Sequence, residues 1–230
     1  MFRLCSLPVI FVVVALGGCA QVEQRKATAP ERGDAAYLKG VDTRSDELYV
    51  KADTPGEAMH YRKVYIAQAD LDDVNVIPAE GNNLNDDWII EDSEVVVMQD
   101  AINREFTATL SFQSAYTVVD SPEDAEIILN TTVVAIHPNE TFEQVAAGAR
   151  PSGSITASVA LVDSSTGKVL VRSVDTRSTD NIWAFNQLDN QDAAVDAIFR
   201  GWGNSIRRGM LAMQGRSSDP LAPVLQLKQQ

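Results

Sequence analysis

The residues best suited to chemistry lie near the start of the chain, where a thiol follows two small residues. An apolar run behind Arg3 ends in the motif Leu16-Gly17-Gly18-Cys19. Small residues before a cleavage point leave room for a peptidase, and this arrangement is typical of a bacterial lipobox. In that chemistry the Cys19 thiol receives diacylglyceryl, the chain is cut between Gly18 and Cys19, and the new amine is acylated. We therefore predict a signal peptide over residues 1–18 and lipid attachment, with acyl groups such as palmitate, at Cys19.

Two alternative interpretations of this segment are an ordinary secretory signal with an incidental cysteine and a signal-anchor helix. The apolar run from Leu7 to Leu16 has 10 residues, which is short against the roughly 20 that a membrane-spanning helix needs. Residue 20 is Ala and not Asp, and in double-membrane bacteria Asp at that position retains a lipoprotein in the inner membrane. We therefore predict the periplasmic face of the outer membrane, with inner-membrane retention as the alternative.

The charge and cysteine content exclude several classes of function. The chain has 19 basic and 32 acidic residues, a net charge of −13, whereas nucleic-acid binding depends on Lys and Arg contacts to phosphate. Once Cys5 leaves with the signal peptide and Cys19 is lipidated, no thiol remains for a disulfide, a nucleophile or a zinc site. The expected result is an acidic periplasmic domain that does not bind nucleic acid.

The remaining motifs do not predict a metal site or a catalytic site. Asn83, Asn85, Asp87 and Glu94 have the spacing of a calcium loop, but Trp88 stands where that loop requires Gly, so a solvated loop is favoured. The other chemically suggestive residues are two isolated histidines, His60 and His137, and a hairpin fragment that lacks the glycine spacing of a phosphate loop, Ser165-Thr166-Gly167-Lys168. We predict no cofactor, no metal and no catalytic residue.

Hydrophobic periodicity predicts the elements of an α+β domain. Val64 and Ile66 alternate in a first strand, and a helix begins at Asp92 or Ser93 and ends near Leu110. Its apolar stripe contains Val95, Met98, Ile102, Phe106 and Leu110, with Arg104 and Glu105 away from the stripe centre.

The second half predicts a hairpin and a long final helix. Strand alternation up to Leu161 is followed by a turn at Asp163–Gly167 and a returning strand, and a helical stripe extends from about Asn190 to Met213. Three glycines in that helix permit close packing on the sheet or mark a bend: Gly201, Gly203 and Gly209. The predicted fold is α+β, with a mostly antiparallel sheet and two long amphipathic helices on one face.

The chain divides into an anchor, a domain and a tail. Residues 19–56 are polar with weak periodicity and are predicted to form a flexible tether, the alternative being a short ordered segment around Ala35 to Leu38. Residues 57–213 form the predicted globular domain, and residues 214–230 a flexible C-terminal tail.

Several motifs resemble those of bacterial lipoproteins grouped as domain-of-unknown-function family 3313. The similarity covers about Glu57 to Met213 and rests on five motifs: Tyr61-Arg62-Lys63-Val64-Tyr65-Ile66, Trp88, Tyr116-Thr117-Val118-Val119-Asp120, Asp163-Ser164-Ser165-Thr166-Gly167-Lys168-Val169-Leu170 and Val174-Asp175. The resemblance implies a periplasm-facing lipoprotein without established enzyme chemistry. The order of elements is also similar to that of periplasmic accessory lipoproteins, which is an analogy of fold alone.

These observations together favour a non-enzymatic binding or accessory module for an envelope protein or complex. Trp183 and Phe185, between the hairpin and the last helix, are the candidate partner contacts, because large aromatic side chains dominate interface energetics. The sheet edge is a second candidate surface. The alternatives are a glycan or peptide hydrolase that uses a carboxylate pair, and a purely structural envelope lipoprotein.

Overall fold

A computed structural model of the 230-residue chain describes residues 38–40, 46–51, 60–77, 90–150, 152–182 and 193–216. Within these ranges eight strands form one sheet. They are β1 (Leu38–Gly40), β2 (Glu47–Lys51), β3 (Lys63–Ile66), β4 (Asn75–Val76), β5 (Thr117–Val119), β6 (Ile127–Pro138), β7 (Gly153–Asp163) and β8 (Val169–Thr179). The helices are α1 (Asp92–Ser111), α2 (Phe142–Ala146) and α3 (Ala193–Met213).

The strands follow the order β1-β2-β8-β7-β6-β3-β5, and β4 pairs with β6 off this path. Neighbours from β1 to β6 along this order are antiparallel, but β3 is parallel to both β5 and β6, and β4 is parallel to β6. The α+β class is confirmed, whereas the sheet is mixed and not mostly antiparallel. The reason is the connection from β3 to β5, which contains α1 and returns the chain to the end where β3 began.

The two long helices lie on one face of the sheet, as predicted. α1 packs on β3 and β5, α3 packs on β8, and the two helices pack on each other. The stripe residues Met98, Ile102, Phe106 and Leu110 of α1 are buried in the core. Glu105, which the periodicity placed away from the stripe centre, is also buried, with 6 % of its surface exposed, because α3 covers that side of α1.

The β6–β7–β8 meander supplies the long strands of the sheet. Ile127, Leu129 and Val133 occupy alternate positions of β6 and face the core, and so does Thr131. A β-bulge between Val133 and Ala135 then interrupts the two-residue period. As a result both Ala135 and Ile136 are buried, a detail that strict alternation does not predict.

The domain extends beyond both boundaries drawn from the sequence. β1 and β2 lie inside the segment 19–56 predicted as a flexible tether, and β2 pairs with β8 at the edge of the meander. At the other boundary Gln214, assigned to the flexible tail, is buried, with 6 % of its surface exposed. Both segments are polar in sequence, so periodicity does not reveal that they are ordered. Backbone pairing holds β2 against β8, and side-chain hydrogen bonds hold Gln214.

Candidate functional site

The predicted site residues fall outside the described part of the chain. Gly18 and Cys19 precede Leu38, and Trp183 and Phe185 lie between Ile182 and Ala193. Their predicted roles in cleavage, lipid attachment and partner contact therefore remain predictions.

The calcium-like spacing is only partly described, and Glu94 has a structural use there. Glu94 Oε2 accepts a hydrogen bond from the backbone N–H of Glu91 at 2.8 Å, as part of a capping box at the start of α1. In the described ranges no group of three or more His, Cys, Asp or Glu is arranged to hold a metal ion. His60 is exposed, and burial lowers the pKa of His137.

The turn between β7 and β8 is organised by the Asp163 carboxylate. Its Oδ1 atom accepts hydrogen bonds from Ser165 Oγ at 2.7 Å, from Thr166 N at 2.7 Å and from Thr166 Oγ1 at 2.9 Å. Its Oδ2 atom accepts the hydroxyl of Tyr61, next to the start of β3. Burial alone would raise the pKa of Asp163, but the bonds from Tyr61, Ser165 and Thr166 outweigh it and hold the pKa well below its usual range. Gly167 closes the turn with a φ of 68°, as predicted.

A second carboxylate holds the beginning of β3. Glu126 accepts the backbone N–H groups of Arg62 and Lys63, the latter at 2.9 Å. Burial opposes ionisation, but these backbone bonds and the nearby positive charges lower the pKa of Glu126. Two of the motifs that carry the family resemblance, at Tyr61–Ile66 and Asp163–Leu170, thus meet at one end of the sheet.

The buried amide of Gln214 joins the Tyr61 and Tyr116 motifs to the end of α3. Its Nε2 donates to the backbone oxygen of Tyr61 at 2.9 Å, and its Oε1 accepts Tyr116 Oη at 3.2 Å and Arg216 Nη1 at 2.8 Å. Arg62 Nη1 approaches the same oxygen at 3.4 Å. Burial raises the pKa of Tyr116 to about 12, although the charges of Arg216, Arg62 and Arg207 act against it.

Beside Gln214 lies a group of residues that we call the arginine corner, formed by Phe112, Arg207 and Arg216 around the buried ring of Tyr116. The Arg207 guanidinium carbon lies 5.2 Å from the centre of the Phe112 ring, and that of Arg216 lies 5.6 Å from the centre of the Tyr116 ring. Both distances are within the range of cation–π attraction. Phe112 is 54 % exposed, which is unusual for a large apolar side chain at the end of a packed helix.

The backbone after Phe112 is strained. Gln113 and Ser114 both have a φ of 54°, in the left-handed region that residues other than Gly rarely adopt. Each such residue costs about 1 kcal/mol or more, and such strain concentrates at functional positions. The strained turn keeps Phe112 at the surface while Tyr116 returns to the core.

The middle of the same helix pair has a different electrostatic arrangement, which we call the helix seam, formed by Arg104, Glu105, Asp196 and Arg200. Glu105 Oε2 accepts a hydrogen bond from Arg200 Nε at 2.8 Å, and Arg104 Nε lies 3.6 Å from Glu105 Oε1. Arg104 Nη2 also pairs with Asp196 Oδ1 at 2.6 Å. Two arginines and two carboxylates therefore balance one another between α1 and α3.

The helix α3 is fixed to β8 by a polar contact beneath it. Asp175 Oδ2 accepts Trp202 Nε1 at 3.0 Å and Arg177 Nε at 2.9 Å, and Arg177 Nη2 donates to Ser205 Oγ at 2.9 Å. A Cβ atom on Gly201 would come within 2.1 Å of Arg177 Nη1. Gly201 thus allows the close approach of α3 to the sheet, one of the two roles that the sequence left open for it.

Gly203 has the same role toward α1 and not toward the sheet. A Cβ atom there would lie 2.1 Å from Thr109 Oγ1 and 3.3 Å from Phe106 Cδ1. Gly209 differs, because a Cβ atom at that position meets nothing within 4 Å. Two of the three glycines therefore permit packing.

The arginine corner was missed by sequence reasoning, although a charge signal was available. Residues 106–119 and 197–218 contain no Asp or Glu, and the second stretch contains Arg200, Arg207, Arg208 and Arg216. In a chain with 32 acidic residues, two acid-free stretches that end adjacent helices indicate a local excess of positive charge.

In the described ranges no helix is both long enough and apolar enough to cross a membrane.

The chain belongs to the family described as "Protein of unknown function (DUF3313)", whose model matches residues 32–206. This confirms the resemblance inferred from the motifs and agrees with a domain that begins before Glu57. No curated protein matches the chain by sequence.

Several solved structures are distantly similar. The PelC dodecamer from Paraburkholderia phytofirmans has a TM-score of 0.36 and 10 % identity, covering 63 % of this chain and 87 % of PelC. Lipoprotein GNA1162 from Neisseria meningitidis has a TM-score of 0.35 and 12 % identity, covering 61 % of this chain and 94 % of its own. A minor lipoprotein from Acinetobacter baumannii has a TM-score of 0.33 and 12 % identity, covering 68 % and 95 %. At TM-scores and identities this low, no activity of these proteins is inferred for this chain.

Proposed function

We propose that this member of the DUF3313 family is a lipid-anchored, non-enzymatic binding or accessory module for a protein or complex of the bacterial envelope. The observation that carries the proposal is the motif Leu16-Gly17-Gly18-Cys19 behind a short apolar run. Acyl chains on Cys19 would hold the domain at a membrane, since each buried CH₂ contributes ~0.8 kcal/mol. Ala20 supports the periplasmic face of the outer membrane as the location.

The use of the carboxylates supports a binding role over hydrolysis. A carboxylate-pair hydrolase needs one acid with a raised pKa beside a second acid. Burial raises the pKa of Glu94, and the charge of Glu91 acts in the same direction, but Glu94 Oε2 accepts the backbone N–H of Glu91 in the cap of α1. Asp163 and Glu126 have lowered pKa values because hydrogen-bond donors surround them, and Glu105 lies between two arginines. These four carboxylates stabilise a helix start, turns and helix contacts, which is the use expected in a scaffold.

A partner contact at Trp183 and Phe185 forms part of the proposal. These two residues follow in sequence Ile182, which packs against Gly153 at the end of the sheet far from the β7–β8 turn. A contact there would leave the opposite end of the domain available for the membrane.

Lipidation is tested by labelling cells with a fatty-acid analogue. The wild-type protein should carry the label and the Cys19→Ser variant should not. Cys5→Ser is the matched control, because it removes the other cysteine of the same segment and should leave the label unchanged. Label that persists in Cys19→Ser would refute the anchor.

The partner contact is tested by crosslinking in intact cells followed by mass spectrometry. Trp183→Ala should lose a specific envelope protein that the wild type crosslinks, with the fold intact by circular dichroism. Trp88→Ala provides a matched loss of an aromatic side chain elsewhere in the chain and should retain that protein. Equal crosslinking by wild type and Trp183→Ala would place the contact elsewhere.

A further inference from the structure

We propose that the arginine corner is a second, reversible membrane contact, in which its guanidinium groups bind the phosphates of anionic lipid head groups while Phe112 enters the interface. The inference rests on the proposed function, because the lipid on Cys19 is what brings a bilayer within reach. It adds a named surface of the folded domain to an attachment that otherwise depends on the lipid alone.

The first support is the separation of charge within the molecule. The chain as a whole carries −13, and an acidic body is repelled from an anionic surface unless its positive charge is concentrated in one place. The ends of α1 and α3 lie in the two acid-free stretches and meet at the corner. The guanidinium carbons of Arg207 and Arg216 lie 5.2 Å and 5.6 Å from the ring centres of Phe112 and Tyr116. An anionic surface approaching at this point therefore meets two guanidinium groups beside an exposed ring.

Two carboxylates of the same end have partners of their own. Asp163 lies on the hydroxyl side of Tyr61 and is bonded within the hairpin turn. Gln214 stands between Tyr61 and Arg216, so its amide separates Asp163 from Arg216. Glu126 accepts the backbone amides at the start of β3 and lies close to Arg62, which leaves Arg207 and Arg216 as the cations of the corner.

The second support is the exposed aromatic ring beside the cations. Phe112 is 54 % exposed and is held outward by the two left-handed residues that follow it. The Nε atom of Arg207 is buried without a hydrogen-bond acceptor in the described part of the chain, and its guanidinium lies over the Phe112 ring. Apolar side chains flanked by basic groups are the composition of surfaces that lie in the head-group region.

The anchor can bring this surface to the bilayer. Eighteen residues separate Cys19 from the start of β1 at Leu38, and a chain of that length spans at most about 65 Å. The corner lies at the β5 edge, six strand positions from β1, or about 29 Å across the sheet. A lipid on Cys19 and lipid contacts at the corner are therefore compatible within one molecule.

The test uses residues 20–230, which keep every described residue of the domain and lack both the apolar signal segment and Cys19, so that neither a lipid nor the signal segment contributes to binding. This chain is sedimented with vesicles of phosphatidylcholine alone or mixed with phosphatidylglycerol. We expect binding to the anionic vesicles that weakens as salt is added. Arg207→Gln should reduce the partition coefficient about fivefold, and Phe112→Ser about tenfold.

Two matched controls separate the corner from general effects of charge and hydrophobicity. Arg150→Gln removes an exposed arginine from the β6–β7 connection, and Val96→Ser removes an apolar side chain that is also 54 % exposed. Both should bind anionic vesicles as the parent chain does. Arg207→Lys keeps the charge and should recover most of the binding lost in Arg207→Gln, which excludes misfolding as the cause of that loss.

Three results would overturn the proposal. One is equal binding by the parent chain, Arg207→Gln and Phe112→Ser. Another is binding of inorganic phosphate at the corner without binding to vesicles. A third is self-association through the corner, seen by sedimentation, without vesicle binding. Because the chain is unlipidated, none of these depends on whether Cys19 is labelled in cells, so failure of the anchor and failure of the corner are distinguishable.

Discussion

The helix seam and the arginine corner are built from the same two helices but treat their arginines differently. At the seam, Arg104 and Arg200 pair with Asp196 and Glu105, at 2.6 Å and 2.8 Å. At the corner, Arg207 and Arg216 lie over aromatic rings, and Arg216 donates only to neutral oxygens, those of Ala115 and Gln214, among the hydrogen bonds of the described residues. Cations matched by carboxylates stabilise the packing of α1 on α3, whereas cations over rings keep their charge available to an outside anion. The seam therefore has a structural role, and the corner is the surface proposed for recognition.

The largest expected effect is at Gly203, where α3 crosses α1. An added Cβ would meet Thr109 Oγ1 at 2.1 Å, and Thr109 is held by hydrogen bonds to the backbone oxygens of Glu105 and Phe106. Gly203→Ala should therefore lower the free energy of unfolding by about 2–3 kcal/mol, as overpacking does. Urea denaturation measures this change.

Gly209 is the matched control for that substitution. It lies in the same helix, and a Cβ there meets nothing within 4 Å. Gly209→Ala should stabilise the protein by up to about 1 kcal/mol through helix propensity. Equal effects at both positions would contradict close packing of α3 on α1 at Gly203.

A smaller effect is expected from Tyr116 at alkaline pH. Burial raises its pKa in the folded state to about 12 from an ordinary value of 10, so folding favours the neutral phenol. This stabilisation is complete below about pH 10 and is lost as the pH rises toward 12. The wild type should lose about 1–2 kcal/mol more than Tyr116→Phe over that range, measured by urea denaturation, because lysine titration is common to both. Parallel pH curves would contradict a buried phenol.

Removing the Glu105 carboxylate from the helix seam should lower the free energy of unfolding by less than the titration of Tyr116 does. Arg104 and Arg200 are about half exposed, at 47 % and 55 % of their side chains, so both remain solvated when Glu105 is replaced. Glu105→Gln should destabilise the protein by about 1 kcal/mol, and added salt should reduce the difference. A loss several times larger would mean that the seam is drier than its arginines indicate.

The smallest effect on stability is expected at the corner. Arg207→Gln removes a cation–π contact with an exposed ring, worth about 0.5–1 kcal/mol. Its unfolding curve should nearly superimpose on that of the wild type. A loss equal to that of Gly203→Ala would make the corner a structural element and remove the contrast with the seam.

The sequence predicted the elements that repeat a period and missed those that depend on neighbours. The stripe of α1 and the turn at Gly167 followed from spacing and residue type. The parallel pairing of β3 did not, because the direction of a strand depends on the path of its connection. Periodicity placed Glu105 away from the stripe centre and Gln214 in the C-terminal tail. Their burial was missed, because burial of a polar group depends on partners that are distant in sequence, such as Arg200 and Tyr61.

The predicted lipid anchor differs from the corner in kind. Cys19 is predicted from a short linear motif that requires no folded structure. Phe112, Tyr116, Arg207 and Arg216 come from separate segments and form a surface only when α1 and α3 pack. A linear scan for charge finds the acid-free stretches but does not show that they end side by side.

The most direct test of the division between seam and corner places a fluorescent reporter at each of two equally exposed positions. Phe112→Trp and Val96→Trp are made in the chain of residues 20–230, and each difference spectrum against that parent is followed as anionic vesicles are added. Tryptophan at 112 should shift to the blue and be quenched by brominated lipid, because the corner enters the head-group region. Tryptophan at 96 should do neither. The same response at both positions, or at position 96 alone, would contradict membrane recognition by the corner.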